Sequence, residues 1–460
     1  MSKQIVIIGA GITGLSTAHW LEKDGYSVKV IEANPEVGGS MISSKDSGYL
    51  IDFGPNSGLE TSPLIKTLVE DLSLSNNFTY ANKAGNKRYI LKNNKLYPLP
   101  MSPKEFLSTK LFSTKAKLRL GLEPFIGKSD DGYNQTISEF VIRRLGREFL
   151  DYAINPFVAG VYAGDPDKLS VKSAFPKLYR LEELYGGLIK GTIKGARERK
   201  KSGEKSKQNA AMFSFTDGMA TLPKAIHSEL KENVMLNTTV TSVEKEHNIY
   251  KVSIDNNGLQ SILEADIVIS TVPAFITSKI FGKIEPELCD HLNKIYYPPV
   301  LVLYLGYDKS KITQPLDGFG FLIPAKEKKK FLGALWSSVI FNDRAPEDKA
   351  AFTLFIGGAR SPELLEKDND KLIQDVINEF QKIMGISGRP EFIKSKFWEK
   401  AIPQYNLGYI EHENYFKQFE ESNPGIILGG NYIGGISVGD CIKSSEILFN
   451  KAKERVMKLS

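Results

Sequence analysis

Ile5-Val6-Ile7-Ile8-Gly9-Ala10-Gly11-Ile12-Thr13-Gly14 decides the fold. Its first four residues are a short apolar, β-branched run, the pattern of a strand buried on both faces of a parallel sheet. The next six form a GxGxxG turn, after which Leu15, Ala18, Trp20 and Leu21 fall at helical spacing. A second strand, Ser27 to Ile31, ends at Glu32. Strand, glycine turn, helix, strand and acid together make a βαβ unit of about 30 residues. Gly9 makes the tight turn, Gly11 lets the backbone approach a pyrophosphate, and Gly14 lets helix and strand pack closely. The helix N-terminus faces the phosphates, and Glu32 accepts from a ribose hydroxyl. Gly9, Ala10, Gly11, Ile12, Thr13, Gly14 and Glu32 are therefore expected to hold a dinucleotide.

The rest of the chain sets the frame for this unit. It has 460 residues, enough for about three domains. Its hydrophobic fraction of 41% excludes a disordered chain. A net charge of +6 is too small for a dedicated nucleic-acid binder. Two cysteines, Cys289 and Cys441, make no disulfide framework. No apolar run approaches the length of a membrane span, and Lys3 before a short apolar stretch makes no signal peptide. These features predict a soluble or peripherally attached multidomain protein.

Residues 101–208 read as helical. Leu107, Leu111, Leu118, Leu122 and Phe125 fall near a helical period, and Thr136-Ile137-Ser138-Glu139 reads as a capping box. Leu178, Leu181, Leu184 and Leu188 mark a further helix, and the charged stretch 194–207 reads as a solvated linker. A helix from Thr221 to Lys231 follows, then paired strands 234–243 and 249–254 around a His247-Asn248 turn, and a buried strand 266–270. Strands at 300–307, 318–324, 331–341 and 351–359 and a helix at about 362–384 suggest an antiparallel sheet carrying a helix. The five histidines, 19, 227, 247, 291 and 412, are scattered in sequence and form no metal-spaced cluster.

Two further stretches extend the opening unit. After Glu32 come Ala33 and, a few residues on, Gly38-Gly39-Ser40, then Gly54-Pro55-Asn56-Ser57. A glycine pair just beyond the acid suits a ligand whose flavin half lies along the same backbone. The pattern resembles the flavoprotein oxidoreductases that include amine oxidases and phytoene desaturases. Near the C-terminus, Ile426-Ile427-Leu428 leads to Gly434-Gly435-Ile436-Ser437-Val438-Gly439 and a helix. Backbone N–H groups at Ile436, Ser437 and Val438 would stabilise negative charge on the flavin pyrimidine edge. Asn431 stands where the superfamily often has Asp, a departure from the pattern.

Asn155-Pro156-Phe157-Val158-Ala159-Gly160-Val161-Tyr162-Ala163-Gly164-Asp165-Pro166 resembles the signature of FAD-dependent protoporphyrinogen/coproporphyrinogen oxidases. Arg143-Arg144-Leu145-Gly146, Gly318 to Pro324, Ile402-Pro403-Gln404-Tyr405 and Gly430 to Cys441 fit the same family in order. The resemblance covers essentially the whole chain. It implies a mixed α+β and α/β architecture. The expected parts are a discontinuous Rossmann-like FAD-binding domain (1–80, 209–280, 421–460), an antiparallel-sheet substrate domain (81–100, 281–420) and a helical, membrane-associated insertion (101–208).

The same resemblance implies oxygen-dependent, six-electron oxidation of protoporphyrinogen IX through three flavin cycles, with hydrogen peroxide as co-product. No side chain acts as catalyst; flavin N5 accepts the hydride. Arg88 matches the arginine that pairs with a substrate propionate, and Leu322, Leu335 and Phe355 match an apolar substrate clamp. Gly160 matches the backbone against the macrocycle, Val240 a residue beside the adenine, and Trp398 a position near the flavin. Ordinary strand packing, a turn glycine and a surface arginine are the competing readings of these positions. Lys104, Lys110, Lys115, Lys117 and Arg119 among leucines suit either an anionic lipid surface or a solvated helix face. Expected partners are a porphyrinogen, oxygen, a second copy of the chain in a homodimer and a ferrochelatase taking the product. Nucleic acid is not among them, and the expected location is cytoplasmic, peripheral on the inner face of the membrane. Coproporphyrinogen III is the alternative substrate. Amine oxidation, carotenoid desaturation and passive dinucleotide binding are the alternative functions.

Overall fold

The computed structural model describes residues 3–129, 134–202, 210–366 and 369–459. Its centre is a five-stranded parallel sheet in the order Val234–Met235, Ser27–Ile31, Gln4–Ile8, Ile267–Ser270, Ile426–Leu428. The strands come from three distant stretches, and the apolar runs Ile5–Ile8, Ile267–Ile269 and Ile426–Leu428 are buried on both faces. Ile5, Ile7, Ile267 and Ile269 pack under the helices Ile12–Lys23, Thr221–Leu230 and Val438–Leu459. Val6, Ile8 and Val268 meet the second layer, an antiparallel three-stranded sheet of Thr238–Glu246, Ile249–Asn256 and Leu259–Ala265. The third of those strands carries exposed Leu259 and Ile262 and has no clear alternation, which hid it in the sequence.

A seven-stranded sheet runs in the order Phe392–Trp398, Val300–Asp308, Lys349–Gly357, Gly333–Leu335, Gly320–Leu322, Arg88–Lys92, Lys95–Pro98. It is not wholly antiparallel: Gly320–Leu322 pairs parallel to Arg88–Lys92. The expected strand at 331–341 is only Gly333–Leu335, because the chain turns at Trp336 into the short helix Ser337–Ile340. The helix Asn369–Met384 covers one face, with Phe380 against Phe321 and Phe352.

The helical region begins with two short helices, Pro103–Ser108 and Thr114–Gly121. Thr136 and Glu139 form the expected capping box. Arg144, with no exposed side-chain surface, holds the region together. It donates to Glu123, Glu182 and the carbonyls of Ile126, Gly127 and Gly186. Glu123 in turn accepts from the N–H groups of Leu188 and Ile189 at the start of the next helix. That helix runs Leu188–Ser202, so the charged stretch expected as a linker is helical as far as Ser202; its remainder lies outside the described residues. Among the described residues no helix is long and apolar enough to cross a membrane.

Candidate active site

The N-terminal glycine loop forms one wall of a cradle. Gly9 has φ +102°, and a Cβ on Gly14 would lie 2.1 Å from the Gly9 carbonyl oxygen. Neither position accepts another residue without moving the backbone. A Cβ on Gly11, by contrast, would meet nothing within 4 Å. Gly11 opens the Ile12–Lys23 helix without a side-chain cap. The helix end therefore presents N–H groups and positive dipole to open space, as a pyrophosphate requires.

Glu32 is buried behind this loop. One oxygen accepts from the Ala10 N–H at 2.8 Å; the other accepts from the N–H and side-chain amide of Asn34 at 2.9 and 2.6 Å. The first oxygen retains a lone pair for a ribose hydroxyl. Ala33, next in the chain to Glu32, is exposed, and the buried Val240 sits in the strand whose Thr238 N–H donates to the Glu32 carbonyl.

The second glycine pair lies against the first loop. The Gly38 N–H donates to the Ala10 carbonyl at 2.8 Å, and a Cβ on Gly39 (φ +59°) would lie 3.5 Å from the Gly11 Cα. Gly54 crosses so close to Ser40 that a Cβ would lie 1.8 Å from the Ser40 carbonyl. The 38–40 and 54–57 segments, with Pro55, thus continue the wall begun by Gly11. Asn56 donates to the Asp52 and Gly54 carbonyls, leaving its buried side-chain oxygen without a hydrogen-bond partner. A small cavity of about 10 Å³ joins Asn56 and Ser57 to Leu335 and Thr353 of the large sheet.

The third wall is the C-terminal loop. Tyr405 donates to the Asn431 carbonyl at 2.7 Å and accepts from the Gly435 N–H; Tyr409 donates to the Tyr432 carbonyl at 2.6 Å. Burial raises both phenol pKa values well above normal, so both remain donors. These bonds fix the loop that leads to Ile436 and Ser437, and Ser437 caps the Asp440 N–H before the helix from Val438. An open glycine wall, an uncapped helix end and an orphaned acceptor fit FAD.

Strand register settles which side chains share the opposite side of the cleft. Arg88 pairs with Gly320, Gly320 with Leu335 and Leu335 with Thr353. Two residues along, Ile90, Leu322, Gly333 and Phe355 form the next row. Side chains two apart lie on one face, so Arg88, Leu322, Leu335 and Phe355 point the same way. The pairs Gly357–Val300 and Val300–Trp398 put Trp398 on that face as well. Its indole N–H donates to the Phe53 carbonyl at 3.0 Å, beside the 54–57 segment. The helix Asn155–Tyr162 packs over this face, and a Cβ on Gly160 would lie 2.7 Å from Leu322 Cδ2.

Arg88 stands at the end of this face with no carboxylate partner among the described residues, although Lys87 pairs with Asp317 at 2.6 Å. Its guanidinium lies 5.3 Å from the Phe319 ring centre, and surrounding protein lowers its pKa by desolvation. Two groups gave no sign in the sequence. Arg344 is buried, bonded to Ser214 at 2.6 Å and paired with Asp52 at 3.2 Å; burial raises the Asp52 pKa against that pairing. His291 and His412, far apart in sequence, meet Nδ1 to Nδ1 at 2.9 Å.

Residues 12–447 match the family of flavin containing amine oxidoreductases. The chain is 36% identical to protoporphyrinogen oxidase 2, chloroplastic/mitochondrial, of Arabidopsis thaliana, over 96% of this chain and 92% of that one. It is 30% identical to coproporphyrinogen III oxidase of Bacillus subtilis, over 98% of both. Among solved structures, putrescine oxidase shares the fold at TM-score 0.73 and 16% identity, over 99% of each chain. This flavoprotein chain, with FAD as its cofactor, belongs to the FAD-dependent protoporphyrinogen/coproporphyrinogen oxidase family.

Proposed function

We propose that the protein oxidises protoporphyrinogen IX to protoporphyrin IX. The observation that carries this reading is the shared sheet face: apolar Leu322, Leu335 and Phe355, with Arg88 at one end and Trp398 tied to the flavin segment at the other. Bound FAD supplies a two-electron acceptor that oxygen restores, releasing hydrogen peroxide. The substrate gives up six hydrogens in all, and three molecules of oxygen become three of peroxide.

The side chains orient the substrate and leave the redox chemistry to the cofactor. Leu322, Leu335 and Phe355 offer no titratable group and exclude water from a large, puckered macrocycle. Arg88 offers a bidentate donor to one propionate. The Gly160 backbone, open to solvent beside Leu322, lets the macrocycle approach the helix without a side chain between them. A single unpaired arginine on this face favours the two-propionate substrate over coproporphyrinogen III with four. The Bacillus relative makes the latter the second reading. Comparing kcat/KM for both by porphyrin fluorescence tests the choice: a large preference for protoporphyrinogen supports it, and a large preference for coproporphyrinogen overturns it.

A peripheral membrane contact belongs to the same reading. Leu107, Leu118 and Phe125 are 72%, 70% and 85% exposed, with exposed Lys104, Lys110 and Lys115 among them. Such a surface suits anionic lipid. Lys117 and Arg119 serve the fold as well, because Lys117 bonds the Leu107 and Thr109 carbonyls and Arg119 those of Arg143 and Arg144. A homodimer and delivery of the porphyrin to a ferrochelatase complete the proposal. Sedimentation velocity of the FAD-loaded protein, alone and with a ferrochelatase, tests both.

A further inference from the structure

A second, open cavity of about 350 Å³ is lined by Ala325, Lys328, Lys329, Lys330, Arg360, Ser361 and Leu364. Four of these seven residues are cationic and none is acidic. Arg360 sets this cavity apart from a solvated lysine patch. Its Nη1 donates to the Asn155 side-chain oxygen at 2.8 Å and the Ile323 carbonyl at 3.2 Å, and its Nη2 to the same carbonyl at 3.2 Å. All of these acceptors are neutral.

The other buried arginines behave differently. Arg144 meets Glu123 and Glu182, and Arg344 meets Asp52. Arg360 has no carboxylate within ion-pair distance among the described residues; desolvation lowers its pKa to about 10, against the attraction of the Asp165 carboxylate further off. A half-buried guanidinium whose nearest carboxylate, Asp165, stands beyond ion-pair distance gains from a closer anion. Its guanidinium has five N–H donors, more than these acceptors use.

Two lysines complete the site. Lys330 is engaged, with its ammonium on Asp375 at 2.6 Å and its N–H on Glu379 at 3.0 Å. Lys328 and Lys329 have no ion pair among the described residues. Lys328 is held in the left-handed region, φ +53°, at the end of the Ala325–Glu327 turn. We infer that the cavity formed by Lys328, Lys329, Arg360 and Ser361 binds a phosphate-bearing anion, outside the flavin cradle and the porphyrinogen face. A planar fork, two compact ammonium groups and a hydroxyl match the tetrahedral oxygens and charge of a phosphate. The site also touches the active-site helix, because the Asn155 oxygen that accepts from Arg360 accepts from the Ala325 N–H as well, at 2.8 Å.

The test uses the FAD-loaded enzyme, so that its own pyrophosphate site is filled. Inorganic pyrophosphate is titrated calorimetrically at fixed ionic strength, and Tm is followed in parallel. The wild type is expected to bind it saturably, with one equivalent per chain and a rise in Tm. Lys328→Ala/Lys329→Ala should match the wild-type Tm and flavin spectrum without anion, yet bind about tenfold more weakly or worse. Arg360→Gln should do the same if it folds; the lysine variant keeps the test decisive if it does not. Vesicles of phosphatidylcholine with and without phosphatidylglycerol separate the sources. Competition between phosphatidylglycerol vesicles and pyrophosphate, lost in the lysine variant, identifies a lipid headgroup. Saturable pyrophosphate binding with vesicle association indifferent to the variant identifies a soluble anion. The inference is overturned by absent pyrophosphate binding with variant-independent vesicle association. Pyrophosphate binding of equal strength in the lysine variant overturns it as well.

Discussion

Gly160 and Leu322 are in contact only because Gly160 has no side chain: a Cβ would sit 2.7 Å from Leu322 Cδ2 and 3.3 Å from Cδ1. The glycine lies inside the helix Asn155–Tyr162, where alanine is intrinsically favoured by about 1 kcal/mol. Gly160→Ala should therefore retain the fold while pushing Leu322 across the substrate face. The expected outcome is an unchanged or slightly raised Tm with a several-fold rise in KM for porphyrinogen. Unchanged KM with unchanged Tm would place the macrocycle elsewhere.

Arg88→Ala is predicted to raise KM more than it lowers kcat, because, in the proposed function, the guanidinium would hold a propionate remote from the reacting carbon. Arg88 forms no ion pair among the described residues, so unfolding free energy should change by no more than about 0.5 kcal/mol. Arg88→Lys should recover only part of the binding, since an ammonium cannot make the planar fork. Steady-state kinetics and urea unfolding of both variants check this. Unaltered kinetics would mean that Arg88 does not touch substrate.

The glycine wall allows a paired test. Gly14→Ala drives a Cβ into the Gly9 carbonyl, so FAD should be lost and Tm should fall together. Gly11→Ala meets no protein atom within 4 Å, so the apoprotein Tm should hold while FAD affinity drops. Fluorescence titration of FAD into each apoprotein separates the outcomes; equal affinity in Gly11→Ala and wild type would remove the pyrophosphate from this loop.

Arg144 is predicted to be the most damaging of these substitutions for stability. Arg144→Ala would leave Glu123 and Glu182 buried without their partner, at a cost of about 3–5 kcal/mol. Chemical denaturation of the FAD-loaded variant measures it. A loss below about 1 kcal/mol, the level of a surface ion pair, would contradict the role assigned to this cluster.

The His291–His412 contact gives stability a pH dependence. Burial lowers the His412 pKa, and His291 and Lys294 add to the effect against Glu411. The folded state thus binds the proton less well than the unfolded chain. Stability from this site is full above the ordinary histidine pKa, about 6.5, and declines as pH falls below it. His291 stacks on Tyr415, and His412 lies edge-on to Tyr409, which holds the C-terminal flavin loop. Tm and FAD retention should therefore fall together on going from neutral to mildly acidic pH, and His412→Gln should flatten both curves. A wild-type slope that survives this substitution would assign it to other groups.

Legibility in the sequence follows the range of the interactions involved. Ile5 to Ile8, the GxGxxG turn and the Thr136–Glu139 capping box obey local rules of periodicity and hydrogen bonding, and the structure contains them. The proposed substrate face does not obey such rules. Arg88, Leu335 and Phe355 share a face only through pairings between strands far apart in the chain, and Leu322 alone looks like any core leucine. Resemblance pointed to these residues where periodicity could not. Asp52 with Arg344, and His291 with His412, are tertiary pairs without a local signature. The stretch 331–341 misled because its apolar composition is that of a strand, while Gly333 and Ser337 bound a much shorter one.

On the proposed function, this sheet face presents a porphyrinogen to FAD. Anaerobic mixing of the FAD-loaded protein with protoporphyrinogen IX, followed by admission of air, is the decisive measurement. The expected result is bleaching of the flavin's visible absorbance under nitrogen, then porphyrin fluorescence with three hydrogen peroxide molecules per protoporphyrin in air. A flavin spectrum unchanged by protoporphyrinogen, with porphyrin appearing no faster than in its absence, would contradict it.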